Sequence, residues 1–181
     1  MRIPRPRRAA GPRRTETLRH RLRGPWRISI RQASMEPTLD EGDWLLIDPT
    51  TARWPRRGSV VAFHQPDTGT LAVKRVAGTP GDRIPFREGY LELADDEAWL
   101  ISDADEATTI AAGYGAPIDS NQFGPVPVDL LVGRVWFRYG PLRRLGPIAR
   151  LRRRPDHRGV DGGGPSRVAS PGIEPMDPLE P

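Results

Sequence analysis

Two segments of this chain set reactive side chains on backbone that is held in place. The first is Ala33-Ser34-Met35-Glu36-Pro37-Thr38-Leu39. Pro37 has a fixed φ and disfavours helical backbone at Glu36, so Ser34 is expected at the end of a strand, just before a rigid turn. A serine there holds its hydroxyl and its own backbone N–H in fixed directions, which suits a nucleophile; taken alone, a serine before a proline turn is usually just a turn residue. The second is Leu71-Ala72-Val73-Lys74-Arg75-Val76-Ala77-Gly78-Thr79-Pro80-Gly81-Asp82. Strand alternation sets Ala72, Lys74 and Val76 on one face. Burial of that face lowers the ammonium pKa and makes a neutral amine available as a general base. An exposed strand lysine would only snorkel over apolar surface.

Lys74 is the single lysine beside 27 arginines. A GC-rich codon bias produces few lysines, but arginine cannot give up its proton, so a retained lysine is the basic residue to ask about. The chain of 181 residues has no cysteine. That excludes a disulfide scaffold, a thiol nucleophile and thiolate zinc sites. The three histidines, His20, His64 and His157, are scattered, so no metal or other cofactor is expected.

The elements that must position Ser34 and Lys74 read as short strands: 28–32, 44–47, 59–63, 71–77, 90–93, 99–101 and 132–139. They are β-branched, aromatic or leucine-rich, and turn residues separate them at 40–43, 66–69 and 79–82. The pattern predicts an all-β fold of antiparallel strands. Charge frames this region: residues 1–31 carry a net +10, residues 32–139 a net −8 and residues 140–181 a net +3. Residues 1–25, rich in Arg and Pro, and residues 155–181, rich in Gly, Pro and Ser, are expected to be disordered, because they have too little apolar surface to offset ordering entropy. Residues 26–140 form the folded domain. Residues 141–154 read as a basic amphipathic segment, either a broken helix touching a membrane surface or a solvated charge run. No stretch approaches the ~20 apolar residues of a spanning helix, and no secretory signal is visible. The chain by itself reads as cytoplasmic or peripherally membrane-associated, with an anionic membrane surface as the partner of its basic arms.

Four boxes in order resemble those of the type I signal peptidases, a serine and lysine protease family. Ser34-Met35-Glu36-Pro37-Thr38-Leu39 with Gly42-Asp43 is similar to the nucleophile box, and Arg57-Gly58-Ser59-Val60-Val61-Ala62-Phe63 to the next strand. Lys74 to Asp82 resembles the box of the general base, and Asp119-Ser120-Asn121-Gln122-Phe123-Gly124-Pro125-Val126-Pro127 with Gly133-Arg134-Val135 resembles the last. The resemblance implies a signal-peptidase-like β-fold with a catalytic domain at 26–140. It also implies a nucleophilic Ser34, a general base Lys74, and an oxyanion hole from the Ser34 N–H with a donor at Gln32. The Gln32 amide either donates there or points to solvent. The implied substrate is a protein or peptide with small residues before the cleaved bond, bound as an added strand.

Several departures from the family pattern are local, and a larger one is the missing anchor. Ser102-Asp103-Ala104 stands where Gly-Asp-Asn is usual, so only Asp103 matches. Pro117 falls near the place of a serine that helps orient the lysine in some members. Asn121 replaces a common arginine. Asp119 is then left to bond a backbone group, or Ser120 to orient Lys74. No anchoring helix precedes Ser34, which makes the soluble nickel superoxide dismutase maturation proteases a rival with the same chemistry. Residues 78–98 keep the inserted strand pair of the signal peptidases. Two other readings are weaker. Nucleic-acid binding by the arginine arms lacks stacking aromatics or a recognition helix, so no nucleic acid is expected, and a self-cleaving repressor would need a DNA-binding domain upstream.

Overall fold

The turn signals at 40–43, 66–69 and 79–82 each become a reversal with a glycine at positive φ, Gly42 at 85°, Gly69 at 68° and Gly81 at 82°. The fold is seen in a computed structural model, which describes residues 26–86 and 88–150. The expected disorder of 1–25 and 155–181 falls outside those residues.

The strands are β1 (Trp26–Ser29), β2 (Trp44–Asp48), β3 (Val60–His64), β4 (Leu71–Gly78), β5 (Arg83–Phe86), β6 (Gly89–Glu92), β7 (Glu97–Ile101), β8 (Val126–Pro127), β9 (Leu131–Gly140) and β10 (Gly146–Pro147). Two short helices, α1 (Glu106–Ala111) and α2 (Ser120–Phe123), follow β7. The main sheet runs β1-β2-β9-β3-β4-β7-β8 with β10 on β9, and β5 and β6 form a separate hairpin. Every pairing among the described residues is antiparallel. The all-β expectation therefore holds.

Why β3 is central follows from its sequence. Val60 and Ala62 enter one apolar cluster, with Met35, Leu39 and Leu45. Val61 and Phe63, on the opposite face, enter a second with Val76, Leu100 and Leu131. A strand buried on both faces reads as a continuous apolar run, and burying a side chain such as Phe63 contributes about 2 kcal/mol. A third cluster of Leu91, Leu93 and Trp99 seats the β5–β6 hairpin. Pro85 hides β5 from a strand pattern, yet it is tolerated in a two-stranded pair with a free edge.

Two differences from the sequence expectation bear on function. Strand β1 stops at Ser29 rather than Gln32: Ile30 still bonds the 40–43 turn through its N–H to Asp43 and its carbonyl to Gly42, but Arg31 and Gln32 extend past that turn. Residues 141–149 do not form a helix. A 3-10 turn at Leu142–Arg144 is followed by β10, because the proline and glycine interruptions let β9 recapture the chain as an edge strand.

Candidate active site

Ser34 sits in a 3-10 turn, Ala33–Met35, at the exit from the β1 segment. Ala33 and Met35 are each 1% exposed, so the turn is pinned by its apolar residues while Ser34 between them is only half-buried. Glu36, at φ −66° and ψ 147°, is extended, as a residue before proline must be. The carbonyl of Ser34 accepts two backbone N–H groups, from Asp103 at 3.1 Å and Ala104 at 3.2 Å.

Lys74 lies in β4 and is 4% exposed. Its strand neighbours Ala72 and Val76 both pack in the second apolar cluster, as alternation predicts. Burial pulls the ammonium pKa from 10.5 down to about 8, with Asp119 and then Asp103 acting in the opposite direction through space. Among the described residues no hydrogen-bond acceptor or ion-pair partner lies within bonding distance of Lys74. Burial therefore outweighs the two carboxylates, and a neutral amine is accessible near neutral pH.

Ser34 and Lys74 line one cavity of about 390 Å³. Its sides are two backbone edges. One is residues 28–32, whose last two residues have run past their partner strand. The other is residues 70–74, at the start of β4. On β4, β3 pairs with Leu71 to Arg75, whereas β7 pairs only from Arg75 onward. Among the described residues no strand pairs with the opposite edge of β4 where Lys74 stands. An extended peptide fits between two such edges by strand addition. Met35 forms part of the lining, and residues 114–118 close a further side.

The supporting groups form two sets. Arg75, next to Lys74 but on the other face, donates to both oxygens of Asp103, from Nε at 2.6 Å and from a terminal nitrogen at 2.5 Å. It also reaches the Gly58 carbonyl at 2.6 Å and Thr38 Oγ1 at 3.2 Å. Arg138 of β9 donates to the Thr38 carbonyl and to Asp43 Oδ2, both at 3.0 Å, and Arg144 pairs with Asp40. The segment that follows Ser34, from Thr38 to Asp43, is held from both sides by arginines. On the second side, Asp119 accepts backbone N–H groups from Ser102 and Asn121, each at 3.0 Å. Asn121 Nδ2 also donates to it at 2.9 Å, a neutral bond in place of an arginine ion pair.

The other expected supports are placed differently. Ser120 is fully buried, and its Oγ accepts the Leu100 N–H at 2.9 Å; among the described residues it has no hydrogen bond to Lys74. Gln32 is exposed, lines the cavity and makes no side-chain bond to the turn it precedes. Pro117 also lines the cavity and offers no hydroxyl. Sequence reasoning gave no role to Arg75, Thr38 or Arg138. The available signal was Arg75 itself: an arginine alternating with buried residues in a central strand must have a carboxylate partner. Among the described residues no group of three or more His, Asp or Glu side chains is arranged to hold a metal.

A family model described as signal peptidase, peptidase S26, matches residues 19–109. The chain is 28% identical over 143 residues to Signal peptidase I of Leptolyngbya laminosa, covering 66% of this chain and 70% of that protein. It is 34% identical over 120 residues to the mitochondrial ATP-independent inner membrane protease subunit 1b of Arabidopsis thaliana, covering 64% and 70%. With the chloroplastic thylakoidal processing peptidase 1 of Arabidopsis thaliana it shares 27% identity over 140 residues, 62% of this chain and 41% of that protein.

Proposed function

Because the chain belongs to the signal peptidase family, peptidase S26, we propose that Ser34 and Lys74 form the dyad of a serine endopeptidase that removes N-terminal leader segments after small residues. The observation that carries this reading is that the half-buried serine and a lysine with its pKa drawn down to about 8 line the same cavity between two strand edges.

In the proposed reaction a peptide adds as a strand between residues 28–32 and 70–74. Neutral Lys74 Nζ takes the Ser34 Oγ proton as that oxygen attacks the scissile carbonyl. The oxyanion is held by the Ser34 N–H, near the start of its turn where N–H groups lack partners within the turn, and by the Gln32 side-chain amide. Collapse breaks the C–N bond, and the Lys74 ammonium gives its proton to the leaving amine. Water, deprotonated by Lys74, then releases the acyl group from Ser34. Asp119 stays close enough to Lys74 to stabilise the ammonium that forms in each half-reaction.

Peripheral contact with an anionic membrane is the second part of the reading. Leu142 and Leu145 are 83% and 54% exposed beside Arg143, and Trp44, which pairs with Gly140 just before that turn, is 53% exposed. Apolar tips flanked by arginine suit the headgroup region. Among the described residues no helix is long and apolar enough to cross a membrane.

The direct test incubates the purified chain with leader-bearing precursors ending in Ala-x-Ala and maps the products by mass spectrometry. A single cut after the second alanine, absent in Ser34→Ala, is the expected result. A cytosolic superoxide dismutase precursor in the same assay distinguishes leader cleavage from maturation of that enzyme. If no precursor is cut, the reading fails.

A further inference from the structure

The side of the cavity formed by residues 114–118 does not resemble the rest of the fold. From Tyr114, whose N–H bonds Thr109 at the end of α1, to Asp119, which caps α2, the chain is neither strand nor helix. Between those points, among the described residues, Gln122 Nε2 donates to the Pro117 carbonyl at 3.3 Å. At its near end Tyr114 Oη donates to Glu41 Oε2 at 3.0 Å, joining it to the turn that follows Ser34. At its far end stands Asp119, the carboxylate acting most strongly on Lys74. This strap therefore spans from the Ser34 side to the Lys74 side.

Its two large side chains, Tyr114 and Ile118, line the cavity yet are 42% and 53% exposed. Folding gains little from such exposure, and apolar groups collected at the rim of a cavity mark contact with a ligand. A peptide added as a strand directs alternate side chains to opposite faces. With the small residue before the bond turned into the cavity, its predecessor turns outward, toward the rim.

We propose that the strap is a specificity-determining wall, in which Tyr114 and Ile118 select a large apolar side chain at the second residue before the cleaved bond. This rests on the peptidase reading above and names the substrate class of that same site. The hydrogen bond to Glu41, then desolvation and the charges of Glu41 and Glu36, raise the Tyr114 pKa, which keeps an uncharged ring in place against these acidic neighbours. They also make a basic substrate residue the chief competitor.

The test is a panel of peptides Ala-Xaa-Ala, with Xaa as Phe, Leu, Ser, Asp or Lys, cleaved by the full chain. The expected kcat/KM is about tenfold higher for Phe and Leu than for Ser, within the range apolar pockets achieve, with the difference mainly in KM. Tyr114→Ala with Ile118→Ala should bring the panel within about twofold, whereas Tyr114→Phe, which keeps the ring and loses the Glu41 bond, should keep the preference. A wild-type chain that cuts all five equally, or prefers Lys, overturns the proposal while leaving the peptidase reading intact. So does a double variant that slows every peptide by the same factor. A wild-type chain that cuts none overturns the reading beneath it.

Discussion

Arg75 and Asp103 meet in a doubly hydrogen-bonded ion pair, each side chain nearly closed to solvent at 4% and 6% exposure. The backbone N–H of the same aspartate holds the Ser34 carbonyl. Since Arg75 follows Lys74 in the strand, the pair links the β4 backbone beside the proposed base to the turn of the proposed nucleophile, with no direct contact between the two side chains required.

Breaking that pair tests the linkage. Asp103→Asn leaves Arg75 buried without its countercharge and should cost about 3–5 kcal/mol in denaturant unfolding. Replacing both partners by apolar residues, Arg75→Met with Asp103→Leu, should recover most of the stability. It should not recover activity, because the Arg75 bond to Thr38 is gone. Full activity in the double variant would show that the pair serves stability alone.

The proposed base is tested by charge. Lys74→Arg cannot lose its proton and should lower kcat/KM by about 10²–10⁴-fold, as Ser34→Ala should abolish acyl transfer, with circular dichroism unchanged in both. In the wild-type enzyme only the neutral amine is active. The rate should therefore climb about tenfold per pH unit below pH 8 and level off above it. A flat profile between pH 6 and about 9 would exclude Lys74 as the base.

The same lysine has a stability signature of defined sign. Its pKa is about 8 folded against 10.5 unfolded, so between those values the unfolded chain binds more protons and stability rises with pH. Below pH 8 the full cost of the buried amine is present, about 3 kcal/mol. Lys74→Met should accordingly be inactive yet more stable than wild type at pH 7, with the advantage vanishing by about pH 10.5. Equal urea midpoints across this range would contradict the burial of the amine.

Membrane contact is read by sedimentation with vesicles. Vesicles rich in anionic lipid should pellet the chain at low salt, and Leu142→Ser with Leu145→Ser should reduce the bound fraction several-fold. Neutral vesicles, or added salt on the order of 0.5 M, should release it. Equal binding to neutral vesicles would exclude a role for the arginines.

Much of this site was legible before folding. Pro37 announces the turn after Ser34, and alternation announces that Ala72, Lys74 and Val76 share one face, because both are local properties of backbone and strand period; the burial of that face is not local. The 3-10 turn was not legible, since it depends on Ala33 and Met35 finding the first apolar cluster. Nor was α1, a single polar-faced helix capped by Asp105 whose Oδ1 accepts the Thr108 N–H at 2.8 Å. Ser120 followed the same logic in reverse: its neighbour Asp119 bonds backbone as expected, but the serine hydroxyl turns to Leu100, a partner twenty residues away.

The amino-acid sequence by itself determined the residue types, the turn positions and the approximate places of the main strands, since these rest on φ restrictions and on the two-residue period of a strand. Tertiary structure alone decided that residues forty positions apart line one cavity, and that the carboxylates of Asp119 and Asp103 lie near enough to oppose, without cancelling, the burial of Lys74. The reason is that desolvation and Coulomb energy are set by distances through space. The apolar cluster that takes in Ala72 and Val76, on either side of Lys74, draws its side chains from β3, β7, β8 and β9, and only packing brings them together.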